Sequence, residues 1–341
     1  MKILITGGCG FVGSNIAIYL KKKFKKATIS TLDNLTREGS TVNKARLKKY
    51  KVKNYNFDIA KFKRFKILPR FDLIIDCCAE PAIEASKKDP DKVFNTNLIG
   101  TFNTLKKCIN DKSNIIFLSS SRVYSIIKLR EFIKKNNFLK PIKSKKLIDE
   151  KFDTSSASSL YGFTKIASEK LIKEFFYTTN LKYIINRFGV IAGPWQFGKQ
   201  DQGFIPLWVA RHFLKKKLSY IGFNARGHQV RDVLHIEDVC QIIYLQIKNI
   251  RKINNITFNI GGGAKNLISL KDLTRKCIKL TKNKIKINKI LKTSNYDIPY
   301  YVTNNSKIKK FYKWKPSKSI NHILYDIYIW LKKNKKIRYY F

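Results

Sequence analysis

The sequence predicts an α/β protein: a doubly wound parallel sheet followed by a smaller C-terminal lobe. Three observations predict it. The chain opens on an apolar run, Lys2 to Thr6, that passes directly into Gly7, Gly8, Gly10 and Gly13. Short strand-like runs then alternate with helical stretches through the first half, the pattern of a parallel sheet. After Pro194 the alternation weakens.

The elements follow in order. Residues 2–6 read as a buried first strand, and a helix is expected over 11–25. A strand, a glycine turn and a helix form a nucleotide-phosphate site: the glycines permit close backbone approach, and the helix N-terminus offers free N–H groups to a pyrophosphate. Gly7, Gly10 and Gly13 are its candidate contacts. The second run, 28–32, ends at Asp33, about 20 residues beyond the loop, where a carboxylate would accept hydrogen bonds from the adenosine ribose and repel a 2′-phosphate. That favours NAD over NADP. Arg37 lies close by, either as a 2′-phosphate partner or as a solvated loop residue. The third run, 54–58, brings Asp58 and Ile59 to the adenine. The fourth, 73–77, brings Ala79 to Ala82 to the ribose and nicotinamide. The fifth and sixth runs are 114–119 and 183–187, with helices expected near 43–50, 90–109 and 160–179.

These runs define a cofactor domain over 1–187, which a later strand near 258–263 rejoins, and a mostly substrate-binding lobe over 188–341. Residues 125–150 read as a long basic insertion without catalytic chemistry. Residues 320–331 are amphipathic and read as a terminal helix, and the basic, aromatic tail 332–341 is expected to fray.

Composition narrows the function. With 341 residues and 44% hydrophobic content the chain is globular, and no apolar run approaches the roughly 18 residues of a membrane span. The N-terminal apolar stretch is the first strand rather than a signal peptide. The six cysteines show no C-x-x-C spacing and read as buried free thiols of a cytoplasmic protein. The four histidines are scattered and suggest no metal site. A net charge of +47 is spread through strands and helices alike. It does not gather with aromatics on one segment, which reads as compositional bias rather than a nucleic-acid footprint.

The segment Tyr161-Gly-Phe-Thr-Lys165 puts Tyr161 and Lys165 on one face of a helix. A phenol with a pKa of about 10 is a poor base at neutral pH. A lysine cation about 4 Å away, at an effective dielectric near 20, favours phenolate by roughly 4 kcal/mol, or about three pKa units. Tyr161 then becomes a general base, and Lys165 can also bond the nicotinamide ribose. The fifth strand ends in Ser119-Ser120-Ser121. One hydroxyl can bridge a substrate oxygen and Tyr161, or the three simply close the strand as turn residues.

With these motifs in order, the chain resembles the extended short-chain dehydrogenase/reductases, in their NAD-dependent epimerase/dehydratase group, over nearly its whole length. The marks are Gly7-Gly8-Cys9-Gly10-Phe11-Val12-Gly13, Asp33-Asn34-Leu35, Asn97-Leu98-Ile99-Gly100-Thr101, Ser119 to Tyr124, Tyr161 with Lys165, Arg231 to His235, and Phe258 to Gly262. The resemblance implies a Rossmann-type cofactor domain, a resident NAD, a CDP- or UDP-linked nucleotide-sugar substrate and a homodimer. It adds Phe11, Val12, Asn34 and Asn97 to the cofactor contacts. It makes Ser120 the catalytic hydroxyl, with Ser121 as its fallback and a substrate contact.

Within the group, Trp195-Gln196-Phe197, Asp201-Gln202-Gly203 and His228 to His235 resemble a branch that epimerises C2 of a CDP-linked deoxyhexose. This implies Gln196, Asp201 and Gln202 as substrate contacts and Arg231 as the partner of the diphosphate, with a geometry lysine would not reproduce. The expected activity is an isomerase's: hydride passes from the sugar to NAD, a keto sugar forms, and the hydride returns to the other face. A 4-epimerase of a UDP-hexose or UDP-uronate runs the same chemistry at another carbon. A 4,6-dehydratase fits less well, because Ser121 and Arg122 stand where similar dehydratases carry an Asp-Glu pair. A non-catalytic binding protein would not need Ser120, Tyr161 and Lys165 together.

The chain departs from the group at Cys77-Cys78-Ala79-Glu80-Pro81, where a His-Leu-Ala-type stretch is usual. Glu80 is either a polar group near the sugar or a surface-loop acid. Val190 stands where many relatives carry Asn.

Overall fold

The computed structural model describes residues 1–131, 146–156, 158–199, 202–252 and 255–341. Its strands are β1 Lys2–Thr6, β2 Thr28–Leu32, β3 Lys53–Tyr55, β4 Leu73–Asp76, β5 Asn114–Ser120, β6 Tyr183–Phe188, β7 Val190–Ala192, β8 Leu218–Ile221, β9 Val230–His235, β10 Ile256–Ile260, β11 Leu267–Ser269, β12 Ile287–Ile290 and β13 Tyr300–Tyr301. Its helices are α1 Phe11–Lys23, α2 Ser40–Lys49, α3 Ile83–Lys88, α4 Pro90–Phe94, α5 Gly100–Asp111, α6 Ile126–Glu131, α7 Leu160–Tyr177, α8 Phe204–Phe213, α9 Ile236–Asn249, α10 Leu270–Thr281, α11 Ser306–Tyr312 and α12 Ile320–Lys333.

Seven strands form one sheet in the order β10-β6-β5-β4-β1-β2-β3. The pairs β1–β2, β1–β4, β2–β3 and β4–β5 are parallel, with Lys2 opposite Thr28 and Ile3 opposite Leu73. The winding reverses between β1 and β4, which makes the C-terminal ends of these strands the ligand crevice. A parallel sheet is covered on both faces, so its strands are apolar throughout. Ile3, Leu4, Ile5, Ile74, Ile75, Ile115 and Ile116 are accordingly fully buried. The third strand is shorter than expected and leaves Asp58 in the turn beyond it, where its carboxylate accepts from Ala60 N–H at 2.9 Å.

The chain divides into two compact units. The first holds Met1–Val123, Ser159–Arg187 and Val239–Phe258, and the second holds Tyr124–Ser158, Phe188–Asp238 and Asn259–Phe341. This corrects the single boundary at 187 in two places. Most of α9 joins the first unit, because Gln246 exchanges two 2.8 Å amide hydrogen bonds with Asn186 on β6, and Tyr244 packs on Tyr19 and Phe24. The described parts of the 125–150 insertion join the second unit. There Ile148 bridges to Thr303, and the Tyr124 hydroxyl donates to Asn259 at 2.6 Å. Residues 132–145 of that insertion lie outside the described residues.

In the second unit β9 is central, paired with β11, β13 and β7, while β8 pairs with β12. The tail is not frayed. Lys335–Tyr340 forms a 3₁₀ stretch that buries Ile337 and Phe341. Phe197 meets Tyr340 at 4.6 Å and Phe341 at 6.4 Å, and Phe341 meets Trp330 at 6.1 Å. Aromatic burial outweighs the entropy of ordering so short a segment. All six cysteines are free; four are buried, but Cys77 and Cys78 are only partly so, because they leave β4 at the crevice.

Candidate active site

The glycine loop is a cradle shaped by sterics. Gly7 has φ +59°, and a Cβ there would lie 2.8 Å from Cys78 Cα. A Cβ on Gly13 would lie 2.5 Å from the Gly7 carbonyl oxygen. Helix α1 starts at Gly10 with no side-chain cap and no acidic residue in its first turn. Its leading N–H groups therefore have no side-chain cap and no acid within the first turn, and Phe11 and Val12 open the helix there. The cradle fits a dinucleotide pyrophosphate, the group NAD would present.

At the end of β2 the Asp33 carboxylate accepts from Cys9 N–H at 2.9 Å and Leu35 N–H at 2.8 Å. Burial raises its pKa above the ordinary carboxylate value, and these backbone bonds and nearby Arg37 oppose the rise. Asn34 donates to Asp58 at 3.0 Å, which ties together the loops that would receive the ribose and adenine. Ile59 is buried in the core beside these loops. Ala79 is half-buried after β4.

Asn97 sits in a π-helical turn, Asn95–Ile99, between α4 and α5. Its amide accepts from Glu80 N–H at 2.7 Å and donates to the Glu80 carbonyl at 3.2 Å and to Thr164 at 3.1 Å. It therefore orients the loop after β4. The Glu80 carboxylate is an ion-pair partner, 3.8 Å from Arg37 and 3.5 Å from Lys92. Burial, reinforced by the charge of Asp76, raises the Cys77 and Cys78 thiols well above their ordinary pKa.

Helix α7 carries Tyr161 and Lys165, and its N-cap Ser159 accepts from Gly162 N–H. Tyr161 is 8% exposed and Lys165 2%. Lys165 Nζ donates to the Leu118 carbonyl at 2.9 Å and lies 4.4 Å from the Phe117 ring centroid. That bond uses one of three ammonium donors and aims the charge at the end of β5.

The three serines separate here. Ser119 donates at 2.6 Å to Glu169, which Arg187 clasps through Nε and Nη2 at 2.7 to 3.1 Å. Ser120, whose Oγ accepts from Arg122 N–H at 3.1 Å, and Ser121 are half-buried where the strand leaves the sheet. The Glu169–Arg187 pair was missed in the sequence. Its only signal is that Glu169 lies one helical turn beyond Lys165.

The remaining candidates belong to the second unit. Arg231 donates to the carbonyls of Val230 at 2.8 Å and Ile298 at 2.6 Å, and pairs with Asp297 at 3.3 Å. The Asp297 and Ser294 carbonyls also accept from Arg130, which ties the described start of the 125–150 insertion to this segment. Gln196 donates to the Ile191 carbonyl at 3.3 Å, and its Oε1 is buried without a hydrogen-bond partner. Gln202 and Lys199 exchange backbone hydrogen bonds of 2.7 and 3.2 Å. Asp201 lies outside the described residues. Among the described residues no group of three metal-ligating side chains forms, and no helix is long and apolar enough to cross a membrane.

The chain is 27% identical to the CDP-paratose 2-epimerase of Salmonella typhi, over 97% of this chain and 99% of that protein. It is 29% identical to a dTDP-D-glucose 4,6-dehydratase of Dictyostelium discoideum, over 82% of this chain and 62% of that longer protein. Its fold matches the crystal structure of UDP-glucuronic acid 4-epimerase from Bacillus cereus in complex with UDP-glucuronic acid and NAD, with a TM-score of 0.82 at 23% identity, covering 98% of this chain and 99% of that one. The family model for the NAD dependent epimerase/dehydratase family matches residues 3–261. That span runs from the first strand through the whole main sheet, so the chain belongs to the NAD-dependent epimerase/dehydratase family and uses its cofactor, NAD.

Proposed function

We propose that the protein is a nucleotide-sugar epimerase that inverts C2 of a CDP-linked deoxyhexose. The observation that carries the reading is the buried Tyr161–Lys165 face of α7, together with a Ser120 followed by Ser121 and Arg122 instead of carboxylates. Tyr161 Oη takes the proton from the sugar hydroxyl, with Ser120 Oγ bridging the same oxygen. Lys165 lies one turn further along α7, its Nζ held by the Leu118 carbonyl. NAD, when bound, would supply a reversible hydride acceptor. No carboxylate follows Ser120 in sequence to protonate a leaving hydroxyl, which favours re-reduction of the keto sugar over dehydration.

Gln196, Gln202 and Arg231 serve the nucleotide sugar. Their support is the orphaned Gln196 Oε1, the Arg231 guanidinium oriented by Asp297, and the full-length likeness to the Salmonella enzyme. The partner chain is a second copy in a homodimer, and the compartment is the cytoplasm.

The test incubates purified protein with CDP-paratose and no added NADH. CDP-tyvelose is expected, and its formation falls about 10²- to 10⁴-fold in Tyr161→Phe, the scale of a lost general base, while NAD stays bound. Turnover of UDP-glucose or UDP-glucuronate instead moves the reading to a 4-epimerase. Loss of water from the sugar makes it a dehydratase.

A further inference from the structure

We infer that Glu80 sets the choice of NAD over NADP by engaging the Arg37 guanidinium that would otherwise meet a 2′-phosphate. The inference rests on the family's cofactor and not on the identity of the sugar. Arg37 stands four residues after the ribose carboxylate Asp33, and an arginine near that position is the usual donor to a 2′-phosphate. Here Arg37 Nη1 is turned to Glu80 Oε1 at 3.8 Å, with the side chains 38% and 18% exposed.

Glu80 is itself built in. Asn97 binds both its backbone N–H and its carbonyl, and Lys92 Nζ lies 3.5 Å from its second oxygen. Strands β2 and β4 flank β1, so the pair joins the loops on either side of the glycine cradle. Asp33 and Glu80 are two carboxylates that act on Arg37 at this end of the crevice. A partly exposed ion pair contributes little to stability. Removing the Glu80 charge therefore releases the arginine without unfolding the protein.

The test is calorimetric titration of the full chain, freed of nucleotide, with NAD⁺ and with NADP⁺, which differ only by the 2′-phosphate. In Glu80→Gln the NADP⁺ affinity is expected to rise about tenfold, the scale of one charge-assisted hydrogen bond, while that for NAD⁺ stays within about twofold. Arg37→Ala added to Glu80→Gln abolishes the gain. Arg37→Ala alone leaves the ratio of the two affinities unchanged, and it tests the idea even if Glu80→Gln fails to fold. An unchanged NADP⁺ affinity in folded Glu80→Gln overturns the inference. So does an equal gain for both nucleotides, which would put Arg37 over the diphosphate, or a selective NADP⁺ loss in Arg37→Ala alone.

Discussion

In the cofactor unit the buried polar side chains close on one another, as Glu169 does with Ser119 and Arg187, whereas in the second unit Gln196 Oε1, Gln229 Oε1 and Arg211 Nε are buried with no hydrogen-bond partner. Among the described residues no such orphaned side-chain atom belongs to the first unit. An unpaired buried polar group costs about 1–3 kcal/mol, so a unit that carries several is suited to a polar ligand that satisfies them. The first unit is the opposite case. Its candidate groups are already oriented, with the Lys165 ammonium fixed to a backbone carbonyl and Asn97 fixing the loop after β4. The difference separates a unit whose buried polar side chains are satisfied from one in which several are not.

The comparison can be broken most forcefully at the closed network. Glu169→Ala removes the carboxylate that buried Arg187 and Ser119 share and is expected to cost about 3–5 kcal/mol in denaturant unfolding. A cost under about 1 kcal/mol would mean that the network does not hold α7 to the sheet.

At an orphaned atom the outcome should reverse. Gln196→Ala removes an unsatisfied acceptor, so stability should change by no more than about 1 kcal/mol. The KM for the nucleotide sugar should rise by about tenfold, the scale of a lost polar contact, with NAD binding unaffected. A large loss of stability with an unchanged KM would make Gln196 a packing residue.

The smallest effect concerns pH. All four histidines lie in the second unit. Burial lowers the pKa of His212, and burial likewise lowers that of His235, against the pull of Asp326. On acidification the unfolded chain takes up protons first, near pH 6.5. Stability present above that pH is therefore lost as it falls. Hydrogen exchange compared at pH 7.5 and 5.5, corrected for intrinsic rates, should show added opening around α8 and β9 and none in the β1–β5 sheet. Equal opening in both units would contradict the contrast.

Much of the first unit was legible in the sequence because its signals are local. The glycine loop, Asp33 and the Tyr161–Lys165 spacing each lie within one turn or one element, where backbone geometry follows from a few neighbouring residues. The tail misled because its basic charge hid what Ile337 and Phe341 could bury. The roles of Ser119, Glu80 and Arg130 were open or invisible for a related reason. Their partners stand in elements far along the chain, and no spacing rule connects Ser119 to Glu169 or Arg130 to Asp297.

The order of residues alone was enough for the doubly wound sheet, the dinucleotide cradle and the tyrosine–lysine helix, because periodicity, glycine stereochemistry and i,i+4 geometry act over short range. Packing alone decided which serine is spent on a buried ion pair, where Arg37 points, and that the last residues are core. Those outcomes depend on which distant groups arrive within hydrogen-bonding or van der Waals distance once the chain has closed.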